Sequence, residues 1–380
     1  MNIWILALEN VETRYTCEWF YSIPESIKNK LNEINKSATV STNFISITPV
    51  DHNIITLTGN IDKHETTNGA FLNFASTNMW KSSQLEKLAG YFSRGDIIDG
   101  DQFLITDAWN PCILQLKYMI DLLGYQNCKI HAIWHAGQYD PYDFLGRCLP
   151  DRTWAKETEK SLFYAIDYNY FATEFHVELF KKNVFDNLLP DELNNKICLS
   201  GQPHEYMVET ISKFSHMTKE NIVVFPHRVA PEKNTDMFRH LSNKLVDYEF
   251  IVCQDQKLSK PQYHEIMGKS KIMFSASMQE TLGIGAMEAI LVNCVPLVPD
   301  RLSYSEMYIN FFKYPSQWTE SWDLFIANLD NITELIREKI SNYNSKETKH
   351  AIKQQKEILL DNYLTADNMY NKIMYKLEPQ

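Results

Sequence analysis

Short apolar runs rich in β-branched and aromatic residues alternate along the chain with longer stretches in which apolar positions recur every three or four residues. That rhythm predicts parallel strands joined by crossover helices, an α/β protein. In the first half it predicts strands at 2–8, 44–49, 54–58, 102–106, 129–134 and 170–173, with helices at 22–34, 71–91, 111–123 and 153–165. In the second half it predicts strands at 196–199, 221–225, 248–253, 271–275 and 295–298, and helices at 205–214, 233–245, 260–267 and 284–292. Turn residues on either side of the strand at 196–199 put a domain boundary there, giving an amino-terminal domain over 1–197 and a carboxyl-terminal one over 198–359. The stretch 346–377 reads as long helix, and its end, from about 360 to 380, is expected to pack back on the first domain.

Composition narrows this picture. A length of 380 residues exceeds what one core fills, and 44% hydrophobic with 13% aromatic residues suffices for two. The most apolar stretch, 286–299, is broken by Glu288, Asn293 and two prolines, so no membrane span is expected. Residues 3–8 read as a first strand rather than a leader, and the seven cysteines have no paired spacing, which points to reduced thiols in a cytoplasm. The N-x-S/T sequons at Asn35 and Asn331 carry no weight in that compartment. A net charge of −11 opposes a partner held mainly through phosphates, unless a local groove, for instance Lys181, Lys182, Lys269 and Lys271 with Arg228, overcomes it.

Ligands of open parallel sheets bind where strands end and helices begin. After the strand ending at Phe225 the chain reads Pro-His-Arg-Val-Ala-Pro-Glu-Lys-Asn, which puts Arg228 and Lys233 beside a helix start in a pattern suited to a diphosphate. A solvated basic loop explains those two residues equally well. The run 275–290 then reads as strand end, tight turn and helix, with Glu280 in the loop, Glu288 in the helix, and Gly283 and Gly285 able to admit a ligand close to the backbone. A single Glu on a helix face is more often simply solvated.

Together these residues resemble the retaining GT-B glycosyltransferases of the glycogen-synthase-like clan, marked by R-x4-K followed by E-x7-E. Arg228, Lys233, Glu280 and Glu288 match that pattern. The stretch 293–306, with Pro296-Leu297-Val298-Pro299-Asp300-Arg301-Leu302-Ser303-Tyr304-Ser305-Glu306, is similar to the queuosine-tRNA mannosyltransferases, and the likeness covers 201–307. It implies two Rossmann-like domains facing each other across a cleft, with the donor held by the second. By the same resemblance Arg228 and Lys233 hold the diphosphate and Glu288 the ribose. Glu280, with Thr281, Leu282 and Gly283, holds the donor sugar; Gly201 completes the donor site. His135, in the loop 133–141, matches the clan's strand-end histidine and faces the sugar as a catalytic residue, although a lone strand-end histidine is more often structural.

The loop 9–16 departs from the clan by lacking glycines. Acceptor contacts are expected from Arg14, Tyr15, Trp19 and Tyr139; an amphipathic first helix would explain the cluster around Arg14 and Trp19 as well. Asp99-Gly100-Asp101 has the spacing of the D-x-D metal site of GT-A enzymes but precedes a strand, so it reads as an ordinary turn and no metal is expected. The function implied is transfer of a sugar with retention from a nucleotide-sugar, such as a UDP- or GDP-sugar, to a hydroxyl, with no further cofactor. Asn-, Lys- and Ile-rich usage and a likeness of the opening segment to phage-encoded transferases suggest a hydroxymethylated pyrimidine in phage DNA as acceptor, modified in the host cytoplasm. A cell-surface glycan or lipid and a tRNA nucleoside are the alternatives, and a noncatalytic nucleotide- or glycan-binding protein is the reading from another class.

Overall fold

The computed structural model describes residues 1–11, 15–40, 52–61 and 72–374. Eleven strands form two sheets among them: β1 (Asn2–Leu6), β2 (Asn53–Leu57), β3 (Gln102–Ile105), β4 (Lys129–Ile133), β5 (Tyr168–Phe171) and β6 (Ile197–Leu199) in the first, and β7 (Glu220–Phe225), β8 (Glu249–Val252), β9 (Ser270–Phe274), β10 (Val295–Pro299) and β11 (Lys313–Tyr314) in the second. Every pairing is parallel. The orders are β2-β1-β3-β4-β5-β6 and β8-β7-β9-β10-β11, so in both sheets the second strand lies on one side of the first and the third on the other. Crevices for ligands open at such reversals, above the carboxyl ends of the strands.

The chain divides into two compact units. The first comprises Met1–Ala172, Val177–Pro203 and Ala366–Gln380; the second comprises Thr173–His176 and His204–Thr365. The strand expected to open the second half, at 196–199, instead pairs with β5 as the edge of the first sheet. The long helix expected over 346–377 is two helices, Lys346–Asn362 and Asp367–Met374, which fall in different units. Local pattern cannot detect that break, because both pieces keep an apolar stripe. The strand expected at 44–49 lies outside the described residues. The first helix, Tyr15–Val40, begins seven residues before the expected start at 22 and carries Pro24 within it.

Strands buried on both faces are predominantly apolar, and β3, Gln102–Ile105, is buried throughout, its one polar residue Gln102 being bonded through Oε1 to His131 Nε2 at 2.9 Å. In the first core Trp134 stacks on Phe171 with ring planes 2° apart, and Phe180 packs against both rings. In the second, Phe225, Phe238 and Phe274 pack in sequence, and Phe274 stacks on Tyr314. Each such ring contributes on the order of 2 to 3 kcal/mol by leaving water.

At the amino end of the first sheet Asp101, fully buried, accepts from Asn2 N (2.6 Å), Asn2 Nδ2 (2.9 Å), Trp4 Nε1 (2.9 Å) and Ile98 N (3.2 Å). Asp99 accepts from the backbone and side chain of Asn127, both at 2.7 Å, and Gly100 between them has φ +99°. The D-x-D sequence is thus a clamp tying β1 and β4 to the turn before β3. Removing this carboxylate strands several buried donors, so Asp101→Ala is expected to destabilise the first unit by about 3 kcal/mol, read as a lower urea midpoint. An unshifted midpoint would show that the clamp contributes nothing.

Candidate active site

In the second unit the reversal of strand order lies between β7 and β9, and the loops following those two strands carry the expected basic and acidic residues. Lys233 is buried, 5% exposed. Its Nζ donates to the Gln279 carbonyl, to Glu280 Oε1 at 2.7 Å and, weakly, to Gln279 Oε1 at 3.3 Å. Glu280 Oε1 also lies 3.5 Å from His227 Nδ1 and accepts from Ser277 Oγ at 3.4 Å. Burial raises the proton affinity of Glu280, but Lys233, His227 and Arg228 together outweigh it and hold the carboxyl below its ordinary value. Burial drives the His227 imidazole down to about 4, so it is neutral beside this ion pair. Arg228 pairs with Glu232, four residues along the same loop.

The cations do not crown the helix start as expected. Asn234, in the left-handed region at φ +53°, turns the chain between Lys233 and the helix Thr235–Lys244, and this turn aims the lysine at the loop after β9. That loop is held from several sides. Tyr314 Oη donates to Ser275 O at 2.6 Å, and Asn234 Nδ2 to Ala276 O at 2.8 Å. Arg301 donates to Ala276 O and Ser277 O, and also reaches Ser316 O and Thr319 O. Thr281 O accepts from Thr173 Oγ1, and Leu282 is buried at 3% exposure. The two glycines pack on their own chain: a Cβ at Gly283, where φ is +76°, would sit 2.6 Å from the Tyr304 ring, and one at Gly285 would sit 3.0 Å from Pro226.

Glu288 is the sole charged residue of the helix Ile284–Leu291 and is 8% exposed. Its Oε2 accepts from Tyr263 Oη at 2.5 Å, and its Oε1 lies 3.5 Å from His264 Nε2. Glu306 accepts from the backbone N–H groups of Glu174 and Phe175, capping the first turn of the helix Glu174–Phe185.

In the first unit His135 follows β4. Its Nε2 donates to the Thr106 carbonyl at 2.7 Å, which leaves Nδ1 to accept from Tyr15 Oη at 2.8 Å. Trp19 packs 5.3 Å from the imidazole but is 2% exposed, a core residue more than a contact surface. Tyr139, expected to meet acceptor, is 1% exposed and wedged against Trp134 and Phe180, because the loop after β4 dives into the core there. Arg14 lies outside the described residues. Gly201, at φ +60°, falls in the first unit, whereas the other expected donor residues fall in the second. The supposed basic groove is not assembled within the second unit. Lys271 and Lys269 sit at the amino end of β9, where they bond Asn221 and Glu265, whereas Arg228 lies beyond the carboxyl end of the parallel neighbour β7. Lys181 and Lys182 lie on the helix Glu174–Phe185, with Lys181 paired to Glu178.

Sequence reading missed Glu159. This fully buried carboxylate accepts from Trp109 Nε1 (2.8 Å), Gln138 N (2.8 Å) and Gln138 Nε2 (2.9 Å), and so ties the loop after β3 to the loop that carries His135. A Cβ at Gly137 would meet its Oε1 at 2.3 Å. Burial lifts its carboxyl to about 7 against the bonds from Gln138 and Trp109. Among the described residues no cluster of three or more His, Cys, Asp or Glu side chains could hold a metal, and no helix is long and apolar enough to cross a membrane.

No family model matches the chain. A tRNA-queuosine alpha-mannosyltransferase of Drosophila melanogaster is 21% identical over 203 residues, 42% of this chain and 52% of that protein. The chain therefore spans about half the length of the curated relative it matches. The catalytic domain of starch synthase IV from Arabidopsis thaliana, solved with ADP and acarbose, superposes with a TM-score of 0.56 at 11% identity over 98% of this chain and 97% of that one. HepE of Anabaena, solved with UDP, gives 0.51 at 8% identity over 98% of both chains. The fold is GT-B. A trehalose-phosphate synthase of Burkholderia vietnamiensis gives 0.51 at 11% identity, over 77% of this chain. Two Rossmann-like units with all-parallel sheets are what the GT-B likeness requires, and the chain has both.

Two buried groups give opposite pH responses. The folded chain keeps His227 neutral down to about 4 whereas the unfolded chain protonates it near 6.5, so stability falls as pH drops through that window. Folding keeps Glu159 protonated up to about 7, against an unfolded value near 4.5, so its contribution is lost as pH rises through that range. The two windows overlap between about 4.5 and 6.5, where the contributions oppose each other, so relative to the wild type the melting temperature of His227→Gln should fall as pH rises across that range and that of Glu159→Gln should rise. Unchanged slopes in either variant would contradict the assignment for that group.

Proposed function

We propose that the chain is a nucleotide-sugar-dependent glycosyltransferase whose donor is held by the second unit. The observation that carries this reading is the buried Lys233–Glu280 pair, flanked by His227 and Arg228, at the strand-order reversal of a Rossmann-like sheet. In the reaction the bond from the anomeric carbon to the β-phosphate oxygen breaks, a bond to the acceptor oxygen forms, and the acceptor's hydroxyl proton is lost. Charge grows on the departing diphosphate. Fixed cations in a dry site stabilise that charge without reorganising solvent, and Arg228 and Lys233 fill this role without a metal. The weakest of the three Lys233 bonds, 3.3 Å from Nζ to Gln279 Oε1, is the one that can be exchanged for a phosphate oxygen.

Glu288 accepts from the ribose hydroxyls, and ionised Glu280, with the turn Thr281 to Gly283, meets the donor sugar. His135 is the candidate catalytic residue of the first unit, hydrogen-bonded to the Thr106 carbonyl and to Tyr15. Retention of anomeric configuration belongs to the proposal through the E-x7-E resemblance. UDP and ADP accompany HepE and starch synthase IV respectively, which supports a nucleotide-sugar donor. As acceptor, a tRNA nucleoside is favoured by the likeness to the Drosophila relative, whereas for hydroxymethylated DNA Lys269 and Lys271 lie at the opposite end of the sheet from Arg228. A surface glycan or lipid is the remaining class.

Purified chain incubated with UDP-, GDP- and ADP-sugars and with tRNA, hydroxymethylated DNA and glycan acceptors, followed by mass spectrometry, reads the reaction directly. Arg228→Ala and Lys233→Ala are each expected to lower turnover by at least about 100-fold, and Glu288→Ala to raise the donor KM, while circular dichroism still reports folded chain. A folded Lys233→Ala enzyme with undiminished turnover, together with a folded Glu288→Ala enzyme whose donor KM is unchanged, would refute the proposal. Nucleotide binding with no transfer to any acceptor would favour a noncatalytic binding protein.

A further inference from the structure

Glu288 stands in the helix Ile284–Leu291, whose other residues are apolar or glycine, and a carboxylate buried to this degree must be oriented by a partner. The partner comes from elsewhere in the second unit. Tyr263, on the helix Lys260–Lys269, donates from its hydroxyl to Glu288 Oε2 at 2.5 Å. Its Oη also lies 3.9 Å from where a Cβ would stand on Gly285, and that same Cβ would be 3.0 Å from Pro226 in the loop after β7. The phenol is thus seated between the first turn of one helix and the loop that leads to His227 and Arg228. Burial, and then the Glu288 charge, push its ionisation well above the ordinary tyrosine value, so it stays a donor at physiological pH. His264 Nε2, the other group near this carboxylate, makes no hydrogen bond and lies 3.5 Å from Oε1, too far to fix it.

We propose that Tyr263 is the positioning residue of the nucleotide site: its bond to Oε2 sets the rotation of the Glu288 carboxylate so that Oε1 accepts from the ribose, and this sets a preference for ribonucleoside over 2′-deoxyribonucleoside diphosphates. The proposal rests on the reading of Glu288 as the ribose acceptor. A terminal carboxylate torsion is broad and soft, so without the phenol the group rotates and its bond to the sugar hydroxyl becomes one of several geometries. Hydrogen bonds to charged groups are strong enough for that loss to appear as about a tenfold weaker affinity. The missing interaction is with the nucleotide in ground and transition states alike, so KM rises while kcat holds.

Calorimetry with UDP, GDP and ADP first identifies the diphosphate the wild-type chain binds, and the same titration is then repeated with its 2′-deoxy counterpart. Tyr263→Phe should bind the ribonucleotide about tenfold more weakly, bind the deoxy form with a smaller change, and turn over with a raised KM and unchanged kcat. Glu288→Asp, which withdraws the carboxylate from Tyr263 and keeps both the phenol and an acidic group, should narrow the same ratio and covers the case in which the phenylalanine variant does not fold. A Tyr263→Phe chain with the wild-type ratio of ribo to deoxy affinity overturns the proposal. Wild-type chain that binds none of the three diphosphates overturns the donor reading, and the proposal with it.

Discussion

A lysine ammonium buried beside a glutamate carboxylate governs the second unit. Taking both charges out of water costs several kcal/mol per ion, and only close pairing with further hydrogen bonds offsets it. Lys233 and Glu280 meet that requirement with a 2.7 Å contact, the Gln279 carbonyl and Ser277 Oγ. The consequence is rigidity, since neither loop can move without exposing an unpaired buried charge. Two loops far apart in sequence, after β7 and after β9, are thereby held as one surface.

The rest of the site supports that arrangement by supplying partners for backbone groups. Carbonyls of Ser275, Ala276 and Ser277 are taken by Tyr314, Asn234 and Arg301, and the amide of Met278 donates to Glu232 O at 2.7 Å. Buried loops survive only when such groups are satisfied. Gly283 and Gly285 contribute by leaving out side chains where Tyr304 and Pro226 come close. This packing within the protein is a use of the two glycines additional to the ligand approach their spacing suggested.

The first unit repeats the strategy with different chemistry. Its strand order reverses at β1 and β3, and the loop after β3 receives His135 through the Thr106 carbonyl and Glu159 through the Trp109 indole. A hydrogen-bonded imidazole and a carboxyl that burial lifts to about 7 take the place of the ion pair. At the opposite end of the sheet Asp101 holds the strands together, which separates residues that maintain the fold from residues placed where ligands bind.

Apolar periodicity along the chain was enough to establish the α/β class, most strands to within two residues and the element order, because burial on both faces makes a parallel strand predominantly apolar. Arg228, Lys233, Glu280 and Glu288 were singled out by the resemblance of R-x4-K and E-x7-E to the glycosyltransferase pattern, since spacing alone left each of them an ordinary surface reading. Partners could not be read this way. Tyr263 and Glu288, or Glu159 and Trp109, are 25 and 50 residues apart, and nothing local in either segment encodes the meeting. Burial was equally hidden for Tyr139 and Trp19, aromatic residues that suit a surface or a core until packing decides. The edge position of β6 and the division of the tail between units followed the same rule: a strand or helix declares its own apolar face, but which core that face covers is settled only when the competing surfaces are folded beside it.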